Sequence, residues 1–170
     1  MDASFRNGYI MEEVIKQNPE MARFHPESVN TVRIPTIRTG DRVRVVIPFM
    51  RTGRGSSIVD NAGAGGIICA LDVEEGSIIA AADEHGNRYD KHPDTGEMLI
   101  GFKVPRWDEA KQMAVELAAV VPDNRYAGWD LALTENGWVL VEANARGQFV
   151  TQIATKKGFR KELESILKTE

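Results

Sequence analysis

Apolar and polar residues alternate along much of the chain, and this period of two predicts β-strands. Two pairs of such segments are separated by short turns: residues 31–38 with 42–50, and residues 67–73 with 77–82. The turns contain Thr39-Gly40-Asp41 and Glu74-Glu75-Gly76, which favour tight reversals of the chain. We therefore expect two antiparallel hairpins in the first half of the sequence.

Apolar residues at spacings of three and four predict one long helix between Pro105 and Pro122. Its apolar side is formed by Ala110, Met113, Ala114, Leu117, Ala118 and Val121. Residues 150–167 repeat the helical spacing, and a short helical turn is expected after Asn18-Pro19. Residues 84–97 are polar and rich in turn residues, so we expect them to lie outside the sheet and the core.

The order of these elements predicts the fold class. Successive hairpins with one central and one terminal helix indicate an α+β fold, with a largely antiparallel sheet and helices packed on one face. No internal repeat and no shift in composition divides the sequence, so we expect residues 1–170 to form a single domain. A third hairpin, residues 126–149, carries most of the candidate chemistry.

The turn of this third hairpin permits two registers. A two-residue turn at Asn136-Gly137 puts Asp130 and Glu142 on opposite faces, whereas a three-residue loop that ends at Gly137 puts them directly opposite each other. The second register is favoured because it groups four apolar side chains on a core face. These are Leu131, Leu133, Val139 and Val141.

Composition and charge exclude several functions. The chain has 170 residues, a formal net charge of −4 and 25 acidic against 21 basic residues, so it lacks the basic field of a nonspecific nucleic-acid binder. Cys69 is the only cysteine, which excludes an intrachain disulfide and a thiolate zinc site. No signal peptide and no apolar span of about 20 residues is found, so we expect a cytoplasmic location.

Opposed carboxylates on a hairpin lie about 5 Å apart at Cβ and repel each other unless one is protonated or a cation lies nearby. Asp130, Glu142 and the amide of Asn144 are oxygen ligands that suit Mg²⁺, whose other positions take water or phosphate oxygens. Arg146 adds a donor for a phosphoryl or acyl-phosphate oxygen. A magnesium–nucleotide site and an exposed polar face with unpaired acids both remain open. In the first case, Asp130→Asn should weaken metal binding without destabilising the metal-free fold.

Asp130 and the sequence Glu142-Ala143-Asn144, with an arginine just beyond, resemble the metal-binding signature of the ATP-grasp ligases. Residues 9–15 are similar to the hinge strand that holds adenine and ribose in that fold. Other segments resemble the branch called sugar-transfer-associated ATP-grasp: residues 17–19, residues 25–33 with Thr36, and residues 51–54 with 59–66. The resemblance extends from about Tyr9 to Phe149.

The resemblance implies a role for each matched residue. The magnesium ligands would be Asp130, Glu142 and Asn144. Adenine and ribose would lie near Glu12, Glu13 and the backbone of Val14. Arg33 would approach the phosphates or an acyl phosphate, so we take it, with Arg146, as a candidate catalytic residue. The triphosphate and acceptor side would be shaped by Arg51, Arg54, Asn61, Gly63, Gly65 and Gly66.

Three features of the sequence have a simpler structural explanation as well as a functional one. Glycines 63, 65 and 66 can bring backbone amides close to an anion, but a plain turn before the strand at Ile67 explains them equally. The arginines at positions 42, 44, 51 and 54 fit either a solvated strand edge or a wall that faces an anion. His25, His85 and His92 share no spacing typical of metal ligands, so we expect surface or turn positions.

An ATP-grasp enzyme holds ATP between two lobes, and only eight residues precede Tyr9, so we expect this chain to correspond to the C-terminal lobe alone. A separate N-terminal lobe or a second copy of the chain would complete the ATP clamp. The expected activity is an ATP- and Mg²⁺-dependent ligase that activates a carboxylate as an acyl phosphate for an amine or similar nucleophile. The alternative is a noncatalytic binding or interaction module derived from such a lobe. The branch name associates the family with polysaccharide biosynthesis.

Overall fold

A computed structural model describes residues 13–145 and 147–168. Seven strands of this part form one sheet: β1 (Val32–Thr39), β2 (Arg42–Val45), β3 (Phe49–Thr52), β4 (Ile67–Leu71), β5 (Ile78–Ala82), β6 (Tyr126–Thr134) and β7 (Gly137–Asn144). The α-helices are α1 (Pro19–Ala22), α2 (Trp107–Val120), α3 (Thr151–Thr155) and α4 (Arg160–Leu167). No helix in the described ranges has the length and apolar character needed to cross a membrane.

The strands pair antiparallel throughout the described sheet. Their spatial order is β5-β4-β3-β1-β6-β7, and β2 pairs with the far end of β1. The predicted hairpins β4–β5 and β6–β7 are both present, and α2 begins and ends inside the predicted helix. The α+β class with a largely antiparallel sheet is therefore confirmed.

The first predicted hairpin is divided, because residues 42–50 do not form one continuous strand. Ile47 has a positive φ of 49° and Pro48 has no backbone N–H, so the ladder along β1 is interrupted there. β3 instead pairs with Val32 and Arg33 at the start of β1 and with β4 on its other side. The interruption makes β3 an interior strand and places Arg51 close to β1.

One face of the sheet packs against α2. The helix presents small buried residues at a spacing of four, namely Ala110, Ala114 and Ala118, so the helix can lie close to the apolar side chains of the sheet. Trp107 at its start is buried, and its Nε1 donates to the carbonyl of Val73 at 3.0 Å. This face holds the main hydrophobic core.

The two C-terminal helices lie against the opposite face. Alternation along β4 assigns the faces: Cys69 belongs to the core beneath α2, whereas Ala70 packs with Ala154 of α3. α4 follows Phe159, which packs with Ile37 on the same second face. The sequence predicts helices on one face of the sheet, but they pack on both faces. The second face is available because small residues of β4 and β5 leave room for α3.

Residues 84–97 lie closer to the core than predicted. The segment returns to the sheet through isolated bridges, and His92 within it is only 1% exposed. Most of its polar residues remain on the surface, in agreement with the sequence.

The hairpin of β6 and β7 pairs Asp130 directly with Glu142, as the favoured register predicted. The turn differs from the prediction, because Thr134 pairs with Gly137 and the two residues between them form the turn. An irregularity after Asp130 then shifts the register by one residue and restores the predicted pair.

The shift changes which side chains of β7 reach the core. Leu131 pairs with Leu140, and Trp138 packs at the edge of the main core. Val139 is half-buried, and Val141 is 46% exposed. The predicted core face therefore keeps Leu131 but loses Val141, since a bulge reverses the alternation that the sequence pattern assumes.

Candidate functional site

Three charged residues lie side by side on the sheet face opposite α2. The register pairs Arg33 on β1 with Asp130 on β6, and Asp130 with Glu142 on β7. Directly paired residues project from the same face, so these three side chains form a continuous line across three strands. We call Arg33, Asp130 and Glu142 the cross-strand row.

Asp130 is the buried centre of the row, with 1% of its surface exposed. Arg33 donates from Nε to Oδ1 and from Nη2 to Oδ2, both at 2.5 Å. Arg51 donates from Nη2 to Oδ2 at 2.8 Å. A fork of two parallel bonds and a third charge-assisted bond compensate the cost of burying this carboxylate.

Arg33 supplies the positive charge that the opposed acids require. Burial by itself lowers the pKa of Arg33, but the hydrogen bonds and charge of Asp130 outweigh it, and Glu142 and Asp60 add to the effect. The pKa of Arg33 is therefore raised above its ordinary value. The sequence argument considered a proton or a bound cation, and the protein itself places a permanent cation beside the pair.

Asp60 is a buried residue of this region that the sequence argument did not select. Thr31 donates to its Oδ2 from the backbone N at 2.9 Å and from Oγ1 at 2.5 Å. The Thr31 hydroxyl oxygen accepts from Arg51 Nη2 at 2.9 Å, and Arg51 Nε lies 3.6 Å from Asp60 Oδ2. Asp60 therefore orients Arg51 through Thr31, a role that no local sequence pattern indicates.

A cavity of about 170 Å³ adjoins the cross-strand row. Arg33, Arg51, Asn61 and Gly63 line it, together with Gln148. Arg51 also donates from Nη1 to Asn61 Oδ1 at 3.3 Å. Two guanidinium groups and an amide converge on this recess, which is the arrangement that binds oxyanions such as phosphate or carboxylate.

The glycines that follow Asn61 form a tight turn. Gly65 donates its backbone N–H to Ala62, and Gly66 donates to Asn61. Gly65 has a φ of 88°, and a Cβ on Gly66 would lie 2.3 Å from the carbonyl oxygen of Asp60. Backbone geometry explains both glycines, and their amides are already used inside the turn.

Arg54 belongs to a different cluster. It donates to Tyr89 Oη at 2.6 Å and lies 3.7 Å from Asp83. Asp83 accepts from the backbone of His85, from the backbone and side chain of Asn87, and from Tyr89 Oη, all between 2.9 and 3.0 Å. Burial alone raises the pKa of Asp83, but these hydrogen bonds outweigh burial and lower the pKa to about 2.

Two buried histidines hold the backbone that follows β3. His25 Nε2 lies 3.0 Å from the Gly55 carbonyl, and His92 Nε2 donates to the Gly53 carbonyl at 2.8 Å. His92 Nδ1 accepts from the backbone of Asp94 at 3.3 Å, so the neutral ring satisfies both of its nitrogens. Burial is the main cause that lowers the pKa of His92. Both histidines lie beside turns, as one part of the expectation stated, but they are buried and not on the surface.

Glu142 and Asn144 lie on β7, at the edge of the sheet. Glu142 is exposed and forms no ion pair with a residue in the described ranges. Asn144 is paired with Gly128, and its Nδ2 is buried without a hydrogen-bond partner in the described structure. A ligand at this edge could satisfy that amide.

The predicted magnesium ligands fit a hard cation in chemistry and only partly in position. Asp130 and Glu142 are adjacent, and Asn144 follows two residues later on β7 with an amide oxygen that could act as a third ligand. Within residues 13–145 and 147–168, no three His, Cys, Asp or Glu side chains gather as a metal site, so a metal here would need the amide. Asp130 also accepts three hydrogen bonds from arginine and is 1% exposed, so an arginine must move before a metal can reach it.

A second recess of about 590 Å³ runs along β7. Glu13, Val14 and residues 139–141 line it. Val14 is 87% exposed, and the side chains of Leu140 and Val141 are also largely open to solvent. An apolar wall beside an acidic side chain suits a planar base and a ribose.

The structure thus sorts the predicted site residues. Arg33, Arg51 and Asn61 meet at one cavity, although the sequence gives no spacing rule that joins them. Glu13 and Val14 lie on the recess along β7. Glu12 and Arg146 lie outside the described residues.

Comparison with known proteins gives a match to a family. A family model described as sugar-transfer associated ATP-grasp matches residues 3–168. No curated protein and no solved structure matches the chain.

Proposed function

Because this chain belongs to the sugar-transfer associated ATP-grasp family, we propose that it is an ATP- and Mg²⁺-dependent ligase. The proposed reaction joins a carboxylic acid to an amine or a similar nucleophile through an acyl phosphate. The observation that carries the proposal is the cross-strand row, which places two opposed carboxylates beside a cavity lined by two arginines.

The proposed reaction has two balanced steps. A carboxylate oxygen of the substrate forms a bond to the γ-phosphorus of ATP, the bond to the bridging oxygen breaks, and ADP leaves. The amine nitrogen then attacks the acyl carbon, phosphate leaves with the bonding electrons, and the nitrogen loses a proton to solvent. Both steps move charge onto phosphate oxygens, which metal ions and guanidinium groups stabilise.

The residues of the row and the cavity are assigned to binding and orientation. Arg33 and Arg51 would hold the transferred phosphoryl group in the 170 Å³ cavity, with Asn61 as a further contact. Asp130, Glu142 and Asn144 would hold Mg²⁺, which neutralises phosphate charge when bound. Glu142 is open to solvent, so it can receive the ion before Asp130 is released.

The recess along β7 is the proposed position of the adenosine. Val14 and residues 139–141 would contact the base, and Glu13 would face the ribose. Val141 is covalently joined to Glu142, so the recess and the row meet on one strand. The apolar wall is open to solvent on its outer side, which leaves room for a separate ATP-clamping lobe or a second copy of the chain.

Calorimetry with Mg²⁺ and ATP is the first test of this function. We expect the 170-residue chain to bind Mg–ATP, and Glu142→Gln to weaken binding because it removes an exposed ligand. Hydroxylamine should then trap the acyl phosphate as a hydroxamate when suitable carboxylic acids are supplied. No Mg–ATP binding, even with a complementary lobe present, would refute the proposal.

The second candidate is a noncatalytic nucleotide-binding module. The occupation of Asp130 by Arg33 and Arg51 favours it, because a buried ligand that is already paired suits a resting or inactive site. This candidate predicts Mg–ATP binding without ADP release or hydroxamate formation across a broad panel of acids and amines.

A further inference from the structure

Asp130 is closed to a cation from solvent in this conformation, because it is 1% exposed and guanidinium groups take three of its roughly four acceptor sites. Arg33 contacts Oδ1 and Oδ2 at 2.5 Å, and Arg51 contacts Oδ2 at 2.8 Å. The carboxylate is 1% exposed, so solvent does not compete for these bonds. A divalent cation can therefore reach the carboxylate only if at least one guanidinium moves.

Replacement alone is electrostatically unfavourable. The ion would enter a buried region that already contains two permanent cations, Arg33 and Arg51, opposite two buried carboxylates, Asp130 and Asp60. Once Asp130 turns to the ion, Arg33 loses its carboxylate partner while it remains close to a double positive charge. Glu142 contributes one more negative charge, but from an exposed position where solvent screens it.

The adjoining cavity offers the displaced arginines a second partner. Arg33 and Arg51 both line its 170 Å³ volume, so an oxyanion in the cavity would lie within reach of both side chains. The Arg33 side chain passes over Gly128, where a Cβ would lie 3.4 Å from its Cδ, so no side chain of β6 covers it at that position. Arg51 also donates to Thr31 and Asn61, so Asp130 is not its sole partner in the described structure.

We propose that Arg33 and Arg51 make cation binding at Asp130 conditional on an oxyanion in the adjoining cavity. The two arginines hold Asp130 until phosphate draws them into the cavity, and the released carboxylate then accepts the ion. Cation and anion therefore bind cooperatively, and the coupling must be reciprocal. The inference rests on the proposed function, since it assumes that Asp130 is a metal ligand.

Calorimetric titration with Mg²⁺ tests the coupling without any catalytic assay. In the wild-type chain we expect weak binding of Mg²⁺ alone, and about tenfold tighter binding when inorganic phosphate is saturating. Arg33→Met should bind Mg²⁺ alone about tenfold more tightly than the wild type and should lose the response to phosphate. Substitution of a residue that only helps to bind the metal would have the opposite effect, because it would weaken Mg²⁺ binding.

Two variants support the titration. Arg51→Met should shift Mg²⁺ affinity in the same direction as Arg33→Met but by less, since Arg51 makes one bond to Asp130 where Arg33 makes two. Arg44→Met removes the same charge from β2, where Arg44 pairs with Ile37, and should leave Mg²⁺ affinity unchanged. Arg51→Met also keeps the test decisive if Arg33→Met fails to fold.

Nitrogen NMR of the wild-type arginine side chains gives an independent readout. The Nε–H signal of Arg33 should stay in its hydrogen-bonded position with Mg²⁺ alone and move only when phosphate is also present. Equal Mg²⁺ affinity in Arg33→Met and wild type, or a wild-type Mg²⁺ affinity that does not change with phosphate, would overturn this inference but not the proposed function. Absence of Mg–ATP binding in every variant would overturn the proposed function together with it.

Discussion

Two of the buried aspartates, Asp83 and Asp130, have different kinds of partner. Asp83 is held by backbone and side-chain groups that lie two to six residues away in sequence. Asp130 is held by the guanidinium groups of Arg33 and Arg51, which lie 97 and 79 residues away. Both carboxylates are almost fully buried, with 2% and 1% of their surfaces exposed.

The difference separates a structural carboxylate from one that can change partners. The donors to Asp83 belong to a turn, so they cannot leave it unless the turn itself opens. The donors to Asp130 are long side chains on two other strands, and a rotamer change moves them without disturbing the sheet. Asp130 therefore combines burial with replaceable partners, which is what a switchable binding site requires.

The largest expected effect comes from Asp130→Asn. The substitution removes the charge that compensates Arg33 and Arg51, and an uncompensated buried charge costs about 3–5 kcal/mol. For a chain of this length we expect the melting temperature to fall by about 6–20 °C, measured without metal by circular dichroism. The sequence alone suggested the reverse, because it showed the repulsion with Glu142 but not the arginines.

A matched control is Asp90→Asn, at an exposed aspartate of the same chain. It should change the free energy of unfolding by less than about 0.5 kcal/mol. Equal stabilities of Asp130→Asn and the control would mean that the arginines do not hold Asp130 in solution.

Sequence reasoning found one half of the row and missed the other for a physical reason. Asp130 and Glu142 belong to one hairpin, and alternation favoured the register that pairs them, although the turn is one residue shorter than predicted and a bulge restores the pair. The pairing of Arg33 with Asp130 depends on β1 lying next to β6, a long-range contact that no local period specifies. A bulge after Asp130 likewise reversed the facing of Val141, because period-two reasoning cannot anticipate an extra residue.

Asp83→Asn is the next test, and its expected effect is smaller. The asparagine keeps one acceptor oxygen but presents an amide to groups that donate, so we expect a loss of about 1–2 kcal/mol in the free energy of unfolding. Urea denaturation at neutral pH measures it. Addition of Mg²⁺ and phosphate should leave the loss unchanged, whereas it should alter the loss caused by Asp130→Asn.

Acid titration isolates the contribution of Asp83 to the free energy of unfolding. The pKa of Asp83 is about 2 in the folded chain, below its ordinary value of 3.8, so folding favours the ionised form. The resulting stabilisation is complete above pH 3.8 and is lost as the pH falls toward 2. Over this window the wild type should lose more stability than Asp83→Asn. Burial lowers the pKa of His92 from 6.5 in the folded chain, so its contribution is lost as the pH falls below 6.5, before that of Asp83. This loss should be the same in both chains.

Glu142→Gln should have the smallest effect on stability and thereby completes the comparison. Glu142 faces Asp130 across the hairpin, yet it is exposed and forms no ion pair with a described residue. We expect a change below about 0.5 kcal/mol in the free energy of unfolding, because surface substitutions without specific partners rarely exceed this value. Mg–ATP affinity measured by calorimetry should nevertheless fall about tenfold, as expected for the loss of one charged ligand. A stability loss as large as that of Asp130→Asn would assign Glu142 to the fold instead, because a residue that serves only a ligand contributes nothing to the free chain.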